Sequence, residues 1–233
     1  MEYSHYAVPG LPLGYEGRKV PVLCSPNNPT GHTISLAELE SVPLPADSDV
    51  RCLVDLTYDF FSNDPLHTGI SRLAARRIVS CVSFSKAFGV AGARIGMLAA
   101  PPDTVGEICS RHDRFGLDYF QLAVLDTLFD PRWDRERRSM IDWVRSAREE
   151  ISVLLGGVFP PHCIGPREAN FVSIRTDGLD RRLVNRLMES TACKLHPRDG
   201  ILRITVNERS VMGVRTLHAS LAVDGSVASG RAP

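Results

Sequence analysis

Short runs of apolar and β-branched residues recur through the first hundred positions of the chain. Polar or turn-rich segments separate these runs, and several of the separations leave room for a helix. Continuous apolar runs are typical of parallel strands that are buried on both faces. The pattern therefore predicts an α/β fold with a mostly parallel sheet, whose strands are Val20 to Cys24, Cys52 to Asp55, Ile78 to Phe84 and Ile95 to Ala100.

The periodicity becomes helical from Tyr119 onward. Apolar residues spaced three or four positions apart form one stripe, charged residues such as Arg148 lie off it, and Gly156 and Gly157 end it. The stripe comprises Met140, Val144, Ala147, Ile151 and Leu154. We therefore expect one long helix before residue 157.

The residues after Pro160 predict a second, smaller unit. Two segments, NFVSI at 170–174 and LRITV at 202–206, have the composition of strands, and DRRLVNRLMES between them has helical spacing. The last residues are small and polar, as in disordered tails. We therefore expect a large domain, a connecting helix, a C-terminal α+β small domain and a disordered tail, over residues 1–130, 131–157, 158–222 and 223–233.

The composition of the chain limits the kinds of molecule that we expect it to bind. The 233 residues are 43% hydrophobic and have a formal net charge of zero, which allows a sizeable core and gives no basic footprint for nucleic acid. The sequence contains neither an apolar run of about 18 residues nor a signal-peptide pattern, so we expect no membrane contact and a cytoplasmic location. The six cysteines and seven histidines are dispersed without metal-ligand spacing, and no metal site is predicted.

A single lysine stands out in the segment CVSFSKAFGVAGARIGMLAA at 81–100. The chain has 24 arginines and three lysines, namely Lys19, Lys86 and Lys194, so a merely solvated cation at position 86 would more often be arginine. Lysine differs from arginine because its amine can lose a proton when it is desolvated and can then act as a nucleophile or a base. The alternative interpretation is a lysine that extends from a buried strand into solvent.

Two other segments place polar groups where strands end. CSPNNPTG at 24–31 follows a strand directly, so its prolines and glycine turn the chain at the carboxyl end of that strand and present Asn28 there. LVDLTYDFF at 53–61 puts Asp55 at the end of an apolar run and Tyr58 three residues later. A buried carboxylate needs a cationic or hydrogen-bonding partner. An Asn-Pro turn without a ligand and an ordinary turn aspartate are the alternatives.

Hydroxyl and guanidinium groups near Lys86 have the chemistry of a phosphate site. Ser83, Ser85 and Arg94 surround a turn with two glycines, and donors of these kinds match phosphate oxygens. Arg203 lies within the predicted strand ILRITVN, where an arginine on the core side needs an anion such as a carboxylate. A sheet-edge arginine in solvent is the alternative for Arg203.

Three motifs in series, SPNNPTG, DxxY and SFSKAFGxAGxRIG, resemble those of one enzyme family. They are similar to the aspartate-aminotransferase-like fold type I enzymes that use pyridoxal 5'-phosphate (PLP), most closely the histidinol-phosphate aminotransferase branch. The resemblance extends over roughly residues 20–222. It implies a PLP-binding large domain, a C-terminal small domain and an aminotransferase that moves an amino group between an amino acid and a 2-oxo acid. It also implies a homodimer.

The resemblance implies a role for each candidate residue. Lys86 would bind PLP covalently and later move the Cα proton, and Asp55 would pair with the protonated pyridine nitrogen. Asn28 and Tyr58 would hydrogen-bond the phenolate oxygen of the ring. Arg203 would bind the α-carboxylate of the substrate. The phosphate would be bound by Ser83, Ser85 and Arg94.

The chain departs from the family pattern before its first strand. Only about twenty residues precede that strand, where relatives have a dimer-forming arm and a glycine-rich phosphate turn, so we expect an N-terminally shortened member. Three interpretations stay open. The chain is an active PLP enzyme, whether an aminotransferase or one redirected to decarboxylation, racemisation, elimination or cyclisation; or it is a non-catalytic subunit; or it is one piece of a split enzyme that a second polypeptide completes.

Overall fold

The structure, a computed structural model, describes residues 20–43, 49–111, 116–196 and 200–223. Two β-sheets lie within these ranges. The first sheet is formed by β1 (Val22–Cys24), β2 (Cys52–Asp55), β3 (Ile78–Ser83) and β4 (Gly96–Ala99). The second is formed by β5 (Phe171–Arg175), β6 (Lys194–His196) and β7 (Ile201–Thr205). The strands therefore fall into two groups, one in each half of the chain.

The first sheet is parallel except at one edge. Its order is β1-β2-β3-β4, with β1, β2 and β3 parallel and β4 antiparallel to β3. The mostly parallel α/β fold is confirmed, but the expectation that the fourth run is a buried parallel strand is wrong, since Met97 and Leu98 are 44% and 41% exposed. The connection from β3 to β4 contains α3 (Phe84–Ala87) and a short 3₁₀ turn. It lacks the long helix that a parallel crossover requires.

The helices that accompany the first sheet differ in how far they are buried. Helices α1 (Leu36–Ser41) and α2 (Ile70–Ala75) each place one leucine in the cluster formed by the strands. By contrast, α4 (Pro102–Arg111) and α5 (Tyr119–Phe129) contain no buried residue. Within the described residues, no helix is long and apolar enough to cross a lipid bilayer.

A long helix, α6 (Asp134–Gly156), connects the two sheets along the chain. Three residues of the predicted stripe, Val144, Ala147 and Ile151, are buried as expected. At the two ends the stripe differs from the prediction: Met140 is 37% exposed, and Leu155 rather than Leu154 is fully buried. The helix packs against α8 and β5, so its inner face turns slightly relative to the apolar stripe in the sequence.

Arg148 of α6 was expected on the charged face of the helix, and that expectation is wrong. Its side chain is 1% exposed, and its Nη1 donates hydrogen bonds to the carbonyl oxygens of Phe61 at 2.9 Å and Ala169 at 3.0 Å. Arg145, one turn earlier, donates to the carbonyl oxygens of residues 60–62. Burial lowers the pKa of the Arg148 guanidinium, and the negative charges of Glu168 and Glu149 oppose that change. The pair of arginines therefore joins the segment after β2 to the segment before β5.

The second sheet forms the core of the C-terminal part. Its order is β5-β7-β6, antiparallel throughout, and it packs with α7 (Arg181–Thr191) and α8 (Glu208–Val223). The two predicted strands and the predicted helix lie within one residue of their expected positions. The predicted start of the tail, residue 223, is one residue too early, because Val223 is the last residue of α8. Residues 224–233 lie outside the described part of the chain, and the predicted domain limits stay a prediction.

Close packing of α7 on α8 depends on Gly213. A Cβ added there would overlap the carbonyl oxygen of Ser190 at the end of α7. We expect Gly213→Ala to lower the free energy of unfolding by about 1–3 kcal/mol, because the two helices would have to move apart. Gly106→Ala is the matched control: Gly106 lies in α4 with nothing near its Cβ position, so the change should be neutral or stabilise by about 0.5–1 kcal/mol. Urea unfolding followed by circular dichroism measures both, and equal effects would contradict the packing argument.

Candidate active site

The candidate residues of the first sheet meet at the carboxyl ends of its parallel strands. In the register of the sheet, Cys24 of β1 lies beside Asp55 of β2, and Asp55 lies beside Cys81 of β3. The loops that follow β1, β2 and β3 therefore leave the same edge of the sheet. In open α/β sheets this edge is where ligands bind.

Asp55 has a local hydrogen-bonding partner. Its Oδ1 accepts hydrogen bonds from the backbone N–H of Thr57 at 2.9 Å and from the Thr57 hydroxyl at 2.6 Å. The carboxylate is half-buried. Sequence reasoning anticipated a partner for this carboxylate and did not identify Thr57. The sequence could have indicated Thr57, because aspartate side chains in turns commonly accept a hydrogen bond from the backbone N–H two residues further on.

The thiols on both sides of Asp55 are neutral. Burial, and next the negative charge of Asp55, raise the pKa of the Cys24 thiol to about 11. The same two causes raise the pKa of the Cys81 thiol. Cys24 donates a hydrogen bond from Sγ to the carbonyl oxygen of Pro26 at 3.3 Å. Asp55 therefore lies in the sheet between two protonated thiols.

A cavity of about 350 Å³ opens beside these strand ends. Three of its lining residues are the predicted phosphate-binding residues Ser83, Ser85 and Arg94, which the fold thus brings together. Thr57 and Cys81 also line it. Its volume lies within the range of small-molecule sites.

Local structure fixes the groups around this cavity. Ser83 begins α3, and its hydroxyl accepts a hydrogen bond from the backbone N–H of Ser85 at 3.3 Å. Arg94 adopts a left-handed backbone conformation, with φ of 55°, at the end of the 3₁₀ turn. Its side chain is exposed and donates to the carbonyl oxygen of Ala91 at 3.3 Å. The guanidinium is therefore free to turn toward an anion in the cavity, at the cost of one exposed hydrogen bond.

Lys86 lies on α3, between the serines and the glycine-containing turn. Its side chain is exposed, as in the alternative interpretation of this lysine, and it does not line the cavity. Within the described ranges, its amine has neither a hydrogen-bond nor an ion-pair partner. Water can be excluded from this amine only by a bound molecule or by additional polypeptide that packs over it.

Arg203 reaches the first sheet from the second. Its Nη1 donates a hydrogen bond to Oδ1 of Asn28 at 2.8 Å, so the two predicted ligand-binding residues contact each other. Its guanidinium also lies over the ring of Phe171, 5.3 Å from the centroid. The predicted anionic partner is thus replaced in this structure by an amide oxygen and an aromatic face. Both contacts leave other N–H donors of Arg203 available for a carboxylate.

Tyr58 lies in the same contact region between the two sheets. Its side chain is 8% exposed and packs edge-on against Phe171, with 5.3 Å between ring centroids. Burial raises the pKa of its phenol, and the Arg203 guanidinium opposes that rise. The phenol is therefore a neutral hydrogen-bond donor. Asn28, Tyr58 and Arg203 form one group, and Ser83, Ser85 and Arg94 form another at the cavity.

Comparison with known proteins identifies a family. The model of the family described as aminotransferase class I and II matches residues 11–206. An aromatic amino acid aminotransferase of Corynebacterium jeikeium is 27% identical over 227 residues, and a histidinol-phosphate aminotransferase of Natronomonas pharaonis is 35% identical over 135 residues. These alignments cover 92% and 52% of this chain. They cover 59% and 37% of the relatives, so the chain spans about half the length of the relatives it matches.

Solved structures share the fold. The histidinol-phosphate aminotransferase of Sinorhizobium meliloti, solved in complex with pyridoxal 5'-phosphate, superposes with a TM-score of 0.63 at 21% identity. The superposition covers 86% of this chain and 57% of that protein. The mostly parallel large-domain sheet and the C-terminal antiparallel sheet therefore belong to one known architecture.

Proposed function

Because the chain belongs to the class I and II aminotransferase family, we propose that it binds PLP at the cavity beside β3 and transfers an amino group between an amino acid and a 2-oxo acid. The observation that carries this proposal is the convergence of Ser83, Ser85 and Arg94 on one cavity next to the strand end that bears Asp55. A forked cation and two hydroxyls are suited to the oxygens of a phosphate ester. A carboxylate one strand away is suited to a protonated ring nitrogen.

The residues present fit PLP in charge and in kind. The three cavity residues would hold the phosphate, and the Asp55 carboxylate would hold the proton of the pyridine nitrogen. When bound, the cofactor supplies an electron-withdrawing ring that stabilises negative charge on the substrate Cα. The neutral thiols of Cys24 and Cys81 add no competing charge beside Asp55. The carboxylate is therefore available to a ring N–H.

Lys86 is the proposed covalent attachment point and proton carrier. Its Nζ would hold the cofactor through the aldehyde group and, once the substrate amine occupies that position, would serve as the base that accepts the substrate Cα proton. The Lys86 side chain is exposed, so its amine is accessible to a small molecule. In the alternative interpretation, Lys86 is a solvated surface lysine that needs no cofactor and forms no pyridoxyl adduct.

Arg203 and Asn28 are the proposed substrate-binding pair. A bidentate guanidinium matches the α-carboxylate of an amino acid, and Asn28 would share its amide between Arg203 and the ring oxygen. Tyr58, a neutral donor beside them, would hydrogen-bond the same ring oxygen. Because Arg203 comes from β7 and Asn28 from the loop after β1, the substrate would lie where the two sheets meet.

Covalent trapping tests the proposal. The protein is titrated with PLP while its visible absorption is recorded, and it is then reduced with borohydride and digested for peptide mapping. A borohydride-stable pyridoxyl label on Lys86 and none on Lys194 is expected. In a separate sample that is not reduced, adding an amino acid to the PLP-loaded protein should yield pyridoxamine phosphate, whereas loss of carbon dioxide would assign a decarboxylase instead. A protein that stays colourless and unlabelled overturns the proposal for the chain alone.

An exposed apolar surface favours a partner in the assembled enzyme. On α5, Tyr119, Phe120 and Phe129 are 88%, 65% and 61% exposed, and β4 at the sheet edge adds Met97 and Leu98. Large exposed apolar side chains are typical of interaction sites where they lie next to one another. We propose that a second copy of the chain covers this surface. Analytical ultracentrifugation should give a dimer, and PLP binding that appears only with a second, different polypeptide would assign a split enzyme.

A further inference from the structure

The two oxygens of the Asp55 carboxylate have different surroundings. Oδ1 accepts both hydrogen bonds from Thr57, one from the backbone and one from the hydroxyl. Oδ2 accepts none from any residue that the structure describes. Two hydrogen bonds to the same oxygen restrict rotation of the carboxylate about its χ2 angle. One oxygen is fixed and the other is left available.

Thr57 also belongs to the cavity. It is one of the residues that line it, together with Cys81, Ser83 and Arg94. Its position two residues after Asp55 is therefore at once inside the turn that follows β2 and on the wall of the proposed cofactor site. Thr57 lines the cavity and Asp55 is not among its lining residues, so the hydrogen bond between them connects the carboxylate to the cavity wall.

We propose that Thr57 is a positioning residue that holds Oδ1 of Asp55, so that Oδ2 is presented to the ring nitrogen of PLP. The inference rests on the proposed function. The thiols of Cys24 and Cys81, beside Asp55 in the sheet, lack the positive charge that would compete for Oδ2. The threonine hydroxyl therefore acts through the carboxylate and does not touch the reacting atoms.

The rival explanation is that the hydroxyl stabilises the turn and nothing more. The two explanations differ when the ring nitrogen of the ligand is removed. A positioning residue matters for PLP and not for 1-deaza-PLP, the analogue with carbon in place of that nitrogen, because the analogue has no N–H for Oδ2 to accept. A residue that only stabilises the turn affects both ligands alike.

Four proteins separate the possibilities: the unchanged chain, Thr57→Val, Thr57→Ser and Thr68→Val. Valine keeps the shape of threonine without its hydroxyl, and serine keeps the hydroxyl. Thr68 is an exposed threonine away from the cavity whose hydroxyl donates to the carbonyl oxygen of Pro65 at 2.8 Å, so its variant controls for the loss of a local hydrogen bond. Thermal unfolding of each protein shows whether the variant is folded at the assay temperature.

The affinity of each protein for PLP and for 1-deaza-PLP is measured by absorption titration. Thr57→Val should weaken PLP binding about tenfold, the effect of one hydrogen bond, with no change for the analogue. Thr57→Ser should restore PLP binding, and Thr68→Val should leave both affinities unchanged. In an Asp55→Ala background, Thr57→Val should have no further effect on PLP, because the carboxylate through which it acts is gone.

Three outcomes overturn the inference, and they are distinguishable. If the unchanged chain binds PLP and Thr57→Val binds it equally well, Thr57 does not position Asp55 and the proposed function stands. If Thr57→Val weakens PLP and 1-deaza-PLP equally, the role is structural. If the unchanged chain binds neither ligand, the proposed function fails and the inference fails with it.

Discussion

Lys86→Arg is expected to abolish the pyridoxyl label and to lower turnover by about 10²–10⁴-fold, the usual loss when a positioned general base is removed. Arginine keeps the positive charge but cannot lose its proton, so it neither condenses with an aldehyde nor takes the Cα proton. Because the lysine is exposed on α3, the substitution buries no new charge and should not unfold the protein. The measurement is borohydride labelling and turnover in parallel.

Because lysine is scarce in the chain, a pyridoxyl label can be assigned to a single residue. The chain has three lysines, and Lys19→Arg and Lys194→Arg are matched controls that change the same chemistry elsewhere. Both controls should keep the label and the turnover of the unchanged protein. A label that survives Lys86→Arg and disappears in either control would move the attachment point and contradict the assignment of Lys86.

The strands could be predicted from the sequence because their residues are short, apolar and β-branched. β2 is Cys52–Asp55 in both the prediction and the structure. The direction of β4 could not be predicted, since an apolar run alone does not reveal whether the chain returns parallel or antiparallel. The direction of β4 is determined by the connection after β3. That connection contains only the short helix α3 and a 3₁₀ turn, and a parallel crossover needs a longer helix.

Arg148 shows the limit of periodicity arguments. A helical pattern assigns a charged residue to the solvent face, and here the guanidinium is buried where it donates hydrogen bonds to two backbone carbonyls outside α6. Those carbonyls belong to Phe61 and Ala169, which are far from Arg148 in the sequence. A long-range requirement of this kind leaves no trace in the local spacing.

The sequence could single out candidate residues whose side chains bear charge or hydrogen-bonding groups near strand ends, and it could not single out a residue that holds one of them in place. Asp55 is recognisable in the sequence as a carboxylate at the end of a strand. Thr57 has no such feature in the sequence, and only the structure shows its hydrogen bond to Asp55. The contact between Asn28 and Arg203 spans 175 positions of the sequence and depends on how the two sheets meet. Spacing identifies groups with chemistry, and tertiary contacts decide which oxygen or nitrogen remains free for a ligand.

The contact region between the sheets also explains why the arginines of α6 matter for the site. Glu168, just before β5, accepts hydrogen bonds from the Ser62 hydroxyl at 2.9 Å and the Asn63 backbone N–H at 2.7 Å. Together with Arg145 and Arg148, it fixes the segment after β2 against the C-terminal part. Tyr58 begins that segment, so the position of its phenol depends on contacts that do not belong to the cavity.

Arg148→Met is expected to lower the free energy of unfolding by about 2–4 kcal/mol. Methionine has a similar length and fills the space, but it removes the donor to the Ala169 carbonyl oxygen and leaves the Phe61 carbonyl oxygen with only the 3.4 Å hydrogen bond from Nε of Arg145. A buried acceptor without a partner costs about 1–3 kcal/mol. A buried ion pair can often be replaced by apolar residues at no cost when both partners change. Here the acceptors are backbone atoms and remain. Part of the loss is recovered, because Nε of Arg148 is buried without a partner among the described residues.

Arg138→Met is the control on the same helix. Its side chain is 78% exposed, with a single long ion pair to Asp134 at 3.6 Å, so the change should alter the free energy of unfolding by less than about 0.5 kcal/mol. Urea unfolding of the two variants and the unchanged protein, followed by circular dichroism, gives the comparison. If Arg148→Met unfolds at the same urea concentration as Arg138→Met, the desolvation of the guanidinium cancels its hydrogen bonds, and α6 is held by its apolar stripe alone.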